Sequence, residues 1–243
     1  MTWSALATSA GLPDTIDRIK PSLVAIGTYQ KTGSPPFRPL STGFVVGNGN
    51  MVATNAHSVP ISADAQDETA LTILVRKADG NVEMRAASRL GSDLEHDVAI
   101  LKFEGSPLPT MKLGDPNVKV REGHAVAYSG FPLINVLGAF PATNRAIISA
   151  IVPVAIPSAA ASQLGNAQIK RLARGSFDVY QLDAIGYPGN SGSPVYDAET
   201  GDVVGIVNMV FVRNAKENAL SQGSGITYAI PVRHLTELLS AVR

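Results

Sequence analysis

The stretch Gly189-Asn190-Ser191-Gly192-Ser193-Pro194-Val195-Tyr196 sets a serine between glycines ahead of a strand-like run, a context suited to a nucleophile. A serine hydroxyl attacks poorly until a base takes its proton, so the motif calls for a histidine and an acid elsewhere. Both occur. His57 closes Thr54-Asn55-Ala56-His57 after the apolar Met51-Val52-Ala53, and Asp97 heads Asp97-Val98-Ala99-Ile100-Leu101-Lys102. The chain order His, Asp, Ser is one of several that a catalytic triad adopts. In that chemistry Ser191 attacks a carbonyl carbon, His57 takes the proton and returns it to the leaving amine, and Asp97 orients the imidazole. Gly189 and Gly192 permit a tight turn in which the N–H groups of Gly189 and Ser191 converge on the oxyanion. The segment Gly189, Asn190, Ser191 is therefore the candidate oxyanion hole.

Each residue taken singly has a plainer reading. Gly-Asn-Ser-Gly is turn composition, a lone histidine is often a hydrogen-bonded structural one, and a lone aspartate often caps a turn. Only the constellation argues for chemistry. Asp93 and Glu95 read as a solvated loop and stay in reserve for the acid. His96 adjoins Asp97, and strand alternation points it to the opposite, exposed face. His124 and His234 show no ligand spacing and no His-Glu-x-x-His pattern occurs, so neither a metal nor another cofactor is expected.

These side chains need elements to hold them. Short β-rich runs recur between turn residues: Leu23 to Thr28, Thr42 to Val46, Met51 to Thr54, Leu71 to Val75, Val82 to Arg89 and Val98 to Phe103. After a connector over 107–123 come Ala125 to Ser129, Arg145 to Val152, Phe177 to Leu182, Ser193 to Tyr196, Val203 to Val210 and Ile226 to Ile230. Six runs on each side predict an all-β fold of two six-stranded antiparallel barrels meeting at a cleft, over 22–106 with His57 and Asp97 and over 124–231 with Ser191. Residues 1–21 form a leading segment whose helix, Pro13 to Lys20, takes Asp14 as its cap. The stretches Ser158 to Leu164 and Ala167 to Ala173 predict a helical insertion. In 232–243, Leu235, Leu238, Leu239 and Val242 make an apolar stripe, predicting a C-terminal helix packed on the second barrel.

At 243 residues and 45% hydrophobic content, the chain has ample material for a core. Twenty basic against twenty acidic residues give zero formal charge, which encodes no attraction to nucleic acid or an anionic membrane. No run is long and apolar enough to cross a bilayer. The sequence has no cysteine, so disulfides and thiolate metal sites are excluded. Met1 to Pro13 lacks Lys and Arg and makes a poor leader, which points to a cytoplasmic location, or to export with a leader outside this sequence.

On five stretches the chain resembles trypsin-like peptidases of the chymotrypsin fold, within them the HtrA/Deg-like group. They are Ser41-Thr42-Gly43-Phe44-Val45-Val46, Thr54-Asn55-Ala56-His57, Asp97-Val98-Ala99-Ile100-Leu101-Lys102, Gly189-Asn190-Ser191-Gly192 and Gly225-Ile226-Thr227-Tyr228-Ala229-Ile230-Pro231. The resemblance implies a serine endopeptidase acting on polypeptide, with the specificity pocket floored at Ile185 and walled by Val207, Asn208 and Met209. With no charged group at Ile185 or Val207, small or medium apolar P1 residues are expected. Ser193 stands where that group has a second glycine, a feature similar to bacterial glutamyl endopeptidases. The sequence ends soon after the barrel helix, so no PDZ domain is expected, and the helical insertion falls near the group's activation loops. Two other readings stay open: a protease-fold module that binds peptides without cutting them, and a serine esterase. The intact His57, Asp97 and Ser191 favour the enzyme, and the lack of a Gly-x-Ser-x-Gly elbow disfavours the esterase.

Overall fold

Alternating and β-branched runs such as Leu-Val-Ala-Ile and Val-Ala-Ile-Leu bury their side chains only if the strands curl around them, and the chain does this twice. The computed structural model describes residues 11–60, 69–77, 79–153, 177–209 and 225–242. The first barrel closes in the order β1-β2-β3-β6-β5-β4, from β1 (Leu23–Gln30), β2 (Phe37–Val46), β3 (Met51–Thr54), β4 (Thr69–Arg76), β5 (Val82–Asp93) and β6 (Val98–Phe103). The second closes as β10-β11-β12-β9-β8-β7, from β7 (Ala125–Gly130), β8 (Ala142–Pro153), β9 (Asp178–Leu182), β10 (Pro194–Asp197), β11 (Val203–Asn208) and β12 (Thr227–Pro231). All pairings between strands are antiparallel.

The twelve strands fall where the sequence predicts them, several one to five residues longer. Three expectations are corrected. Helix α1 (Leu12–Ile19) begins after Gly11, and Asp14 sits inside the first turn, its carboxylate accepting the Gly11 N–H at 3.1 Å. The C-terminal helix α3 (Val232–Ala241) does not pack on the second barrel alone. It also crosses β5 and β6 of the first barrel, where Leu238 and Val242 lie over Gly91. A short helix α2 (Ile134–Leu137) in the loop between β7 and β8 has no counterpart in the predicted elements. The predicted helical insertion lies outside the described residues.

Each barrel has its own core, Val45, Leu101 and Phe103 among others in the first, Tyr128, Ile148 and Val207 in the second. A third cluster runs between them, joining Phe44, Ile100 and Val98 to Tyr196, Ile206 and Ile230, with Leu235 and Leu239 of α3 closing it. This shared layer is what fixes one barrel against the other. Phe44, wholly buried within it, has no room to be replaced from either side. Phe44→Ala is expected to lower the unfolding free energy by about 3–5 kcal/mol. A fall in the urea midpoint with an unchanged slope, reported alike by both barrels, is the measurement that checks it.

Candidate active site

The three predicted residues come from three loops that face the seam. His57 lies in the short turn Ala56–Ser58 directly after β3, and Asp97 ends the hairpin turn between β5 and β6. Its Nδ1 stands 2.6 Å from Asp97 Oδ2, and the His57 backbone N–H donates to Asp97 Oδ1 at 2.8 Å. Both carboxylate oxygens are thus turned on one residue. Asn208 Nδ2 donates to the same Oδ2 at 2.6 Å from the end of β11, so the second barrel holds the acid as well. The Asp97 carbonyl accepts the Ala56 N–H at 3.2 Å and Asn55 Nδ2 at 3.2 Å. Asp97 adopts φ +54°, a left-handed conformation uncommon for a residue with a Cβ, and these bonds hold it there. Asp93, one of the reserve acids, turns instead to His96.

Ser191 and its loop are fixed by the opposite barrel. The Thr42 N–H of β2 donates to the Ser191 carbonyl at 2.9 Å, and Thr42 Oγ1 donates to the Gly189 carbonyl at 2.7 Å while accepting the Phe131 N–H at 2.9 Å. From the same side as Asn208, the Val207 carbonyl accepts the Gly192 N–H at 3.0 Å. Gly189 and Gly192 have φ of +100° and +82°, and a Cβ on Gly192 would run into the Thr42 carbonyl and the Thr54 hydroxyl. Only glycine fits there.

The candidate oxyanion segment divides by hydrogen bonding. The Asn190 N–H donates to the Tyr187 carbonyl at 3.0 Å and its side chain is wholly buried, so Asn190 offers no donor to the cleft. The Gly189 and Ser191 N–H groups donate to no backbone carbonyl among the described residues. The peptide carrying the Gly189 N–H is oriented through its other end, where the Pro188 carbonyl accepts the Leu133 N–H at 2.8 Å. Leu133, ahead of α2, also has a left-handed backbone, φ +48°.

The expected specificity wall is only partly a wall. Val207 is wholly buried in the second core, and Asn208 is engaged by Asp97. Ile185 is 49% exposed, so it is no buried floor, and its carbonyl accepts the Tyr128 hydroxyl at 2.7 Å. Burial pushes that phenol up to about 12. Met209 lies against Gly186, where a Cβ would meet its sulfur and methyl group and, at 2.9 Å, Thr227 Oγ1. Sequence reasoning missed Thr42 and Leu133. Thr42 stood inside a quoted motif, but nothing local tells that its backbone reaches residue 191; Leu133 carries no signal, since leucine is a poor left-handed residue.

A family model described as trypsin-like peptidase domain matches residues 41–206. A protein of Halomonas elongata named "Probable periplasmic serine endoprotease DegP-like" is 33% identical over 199 residues, covering 80% of this chain and 33% of its own length. A protein of the same name from Pseudomonas putida is 32% identical over 197 residues, 79% of this chain and 32% of that one. The chain therefore spans about a third of these relatives. Among solved structures, the HtrA-type protease AlgW with tripeptide superposes with a TM-score of 0.63 at 26% identity, over 96% of this chain and 64% of that one. A serine endoprotease from Yersinia pestis shares the fold, with a TM-score of 0.63 at 22% identity over 96% and 66% of the two chains. With its two barrels, its His57–Asp97 pair and a family match across residues 41–206, this chain belongs to the trypsin-like peptidase family.

Proposed function

We propose that the protein is a serine endopeptidase that cleaves exposed polypeptide segments through an acyl-enzyme on Ser191, without metal or cofactor. The single observation that carries this reading is the 2.6 Å approach of His57 Nδ1 to Asp97 Oδ2. With Nδ1 so engaged, the imidazole is kept in the tautomer that leaves Nε2 to accept a proton. Asn208 and the His57 N–H add donors that keep the carboxylate aimed, so it orients the ring and stabilises the imidazolium without taking the proton itself.

The Ser191 oxygen attacks the scissile carbonyl, its proton passes to His57, and the negative charge forming on the carbonyl oxygen meets the Gly189 and Ser191 N–H groups. Collapse of this tetrahedral species breaks the C–N bond as His57 protonates the leaving amine. Water then repeats the sequence on the ester and frees Ser191. One oxyanion donor contributes about 2.7–4 kcal/mol of barrier lowering, which gives the Pro188–Leu133 hydrogen bond its catalytic weight.

We place the P1 side chain beside Met209 where it lies against Gly186, and Ile185, Gly186, Met209 and Thr227 bring no charge to that place. Burying a charged substrate side chain there unpaired costs several kcal/mol, about what isolated buried charges show, which favours small or medium apolar residues. The periplasmic names of the similar proteins support an exported location rather than a cytoplasmic one. The helix C-terminal to β12 is short, and among the described residues no helix is long and apolar enough to cross a membrane.

Three outcomes test the reading. Ser191→Ala should abolish both casein cleavage and labelling by a fluorophosphonate probe while leaving thermal unfolding unchanged. Casein cleavage retained by that variant would overturn the assignment, and a folded wild-type protein that takes no label would favour a peptide-binding module. Asp97→Asn should lower kcat by about 10⁴-fold with little change in KM, because the imidazole loses the acceptor that sets its tautomer. The corresponding amide at Asp93, which keeps an oxygen to accept the Glu95 and His96 N–H groups and does not touch His57, should cost less than about tenfold. Finally, Met209→Ala should deepen the P1 site, raising kcat/KM for a peptide with Phe at P1 relative to one with Ala by about tenfold or more. Paired peptide substrates differing only at P1 give that ratio directly.

A further inference from the structure

Two imidazoles outside the proposed triad lie face to face beside Asp97. The rings of His96 and His234 stack with centroids 3.7 Å apart and planes inclined by 14°. Phe177 closes the pair from the side, edge-on to His96 at 4.8 Å and to His234 at 5.3 Å. Three parts of the chain meet in this contact: the β5–β6 hairpin turn, helix α3 and the residue ahead of β9. His96, expected to be exposed, is packed instead.

The turn itself is built on Asp93. Its Oδ2 lies 2.6 Å from His96 Nδ1, and its Oδ1 accepts the N–H groups of Glu95 and His96 at 2.9 and 3.1 Å. Burial works against the charged carboxyl, yet these hydrogen bonds from His96 and Glu95 hold Asp93 below its usual range. Asp97 directly follows His96, held left-handed with His57 on its carboxylate. A displacement of the His96 ring is therefore transmitted through one peptide bond to the acid.

His234 faces this turn as a neutral ring. Its Nε2 accepts the Arg233 Nε–H at 3.2 Å, so that nitrogen carries no proton, and its Nδ1 has no hydrogen-bond partner. Among the described residues, the charged and titratable groups around it are His96 and Asp93 from the turn and Arg233 and Glu237 from its own helix, with apolar Phe177 edge-on to the ring. Glu237 Oε2 stands 3.7 Å from Nδ1 but its side chain is 69% exposed, so water screens it. A proton on His234 would break the Arg233 hydrogen bond and set a positive ring flat against His96, whose Nδ1 is engaged by Asp93.

We propose that, with Asp97 acting as the catalytic acid as argued above, the His96–His234 stack is a positioning clamp for it that holds only while His234 is neutral. Proton uptake by His234 then separates helix α3 from the β5–β6 turn and loosens Asp97 from His57. Burial first, then His96 and Arg233, lower His234 to about 4, with Asp93 acting in the opposite direction. The folded state thus binds this proton less readily than the unfolded chain, whose histidine titrates near 6.5. Its contribution to stability is complete above that value and is lost as pH falls from about 6.5 to about 4.

The test compares the full chain with His234→Phe, which keeps a flat ring for the stack but takes no proton, and with His234→Ala, which removes the ring. Three measurements are made: kcat and KM for a peptide substrate from pH 4 to 8, the melting temperature over the same range, and the NMR resonance of the His57 Nδ1 proton. At pH 7.5 His234→Phe should keep kcat within about twofold, while His234→Ala lowers it about tenfold with KM unchanged, a loss suited to a slightly misplaced acid. The His57 Nδ1 resonance should shift or broaden in His234→Ala and in wild type near pH 4, but not in His234→Phe, whose melting temperature should fall less on acidification. Wild-type kcat and resonance in His234→Ala would overturn the proposal. So would equal losses in both variants, which would assign the effect to the Arg233 hydrogen bond instead of the stack. If Asp97→Asn leaves turnover intact, the triad reading fails, yet the His57 resonance still reports whether the clamp exists.

Discussion

The Ser191 loop, the proposed nucleophile loop, belongs to the second barrel but is held by the first, through the N–H of Thr42 on the carbonyl of Ser191. Around that bond the seam tightens. Thr42 Oγ1 takes the Gly189 carbonyl, the Thr42 carbonyl accepts Thr54 Oγ1 at 2.8 Å, and Gly192 passes so close to both threonines that no side chain fits. A buried backbone hydrogen bond is worth only about 1 kcal/mol net, but losing one partner leaves a desolvated group costing about 1–3 kcal/mol. The barrels therefore cannot slide without stranding several polar groups at once. The shared apolar layer from Phe44 to Ile206 resists the same motion. Packing sets the distance between the barrels, and hydrogen bonds set the register.

Strain is concentrated where that register must be exact to a fraction of an ångström. Among the described residues, Asp97 and Leu133 are the non-glycine positions with positive φ, and both touch the proposed machinery. Each conformation costs about 1–3 kcal/mol and persists only when its surroundings over-determine it. Asp97 is held by Ala56, Asn55, His57 and Asn208. Leu133 is held by the Pro188 carbonyl and by the first bonds of α2, where its own carbonyl accepts from Val136 and Leu137 at 2.7 and 2.9 Å. On the proposed function, the strain is an observable of preorganisation: the donors are aimed before any substrate arrives.

Much of this was legible from sequence. The twelve strands announce themselves because barrel strands carry long apolar runs bounded by glycine and turn residues, and His57 and Asp97 emerge because the family's chemistry restricts which residue types serve. What stays hidden depends on contacts between distant segments. The resemblance makes Asn208 a pocket wall because it lies on the strand expected to wall the pocket; its amide turns to Asp97 because the strand ends there, and the next side chain, Met209, lies against Gly186. His96 reads as exposed by strand alternation, but residue 96 is in a hairpin turn, where period-two logic does not apply, and α3 arrives to cover it. The reach of α3 across both barrels was equally invisible, since an apolar stripe tells that a helix is buried without telling against what.

The end of β11 concentrates the consequences. Three consecutive residues there meet three different tasks: Val207 receives the Gly192 N–H beside the proposed nucleophile, Asn208 holds Asp97, and Met209 lies on Gly186 at the proposed P1 site. Each task alone would tolerate some movement of the strand. Together they do not, because a shift that opens the P1 site by moving Met209 also draws the Asn208 amide from Asp97 and the Val207 carbonyl from Gly192. On the proposed function, substrate size and triad geometry are thereby coupled through one stretch of backbone. On the proposed function, a side chain too large for that site would be rejected twice, by contact with Met209 and by the misplacement of the groups that would cut it, so that a modest difference in volume becomes a larger difference in turnover.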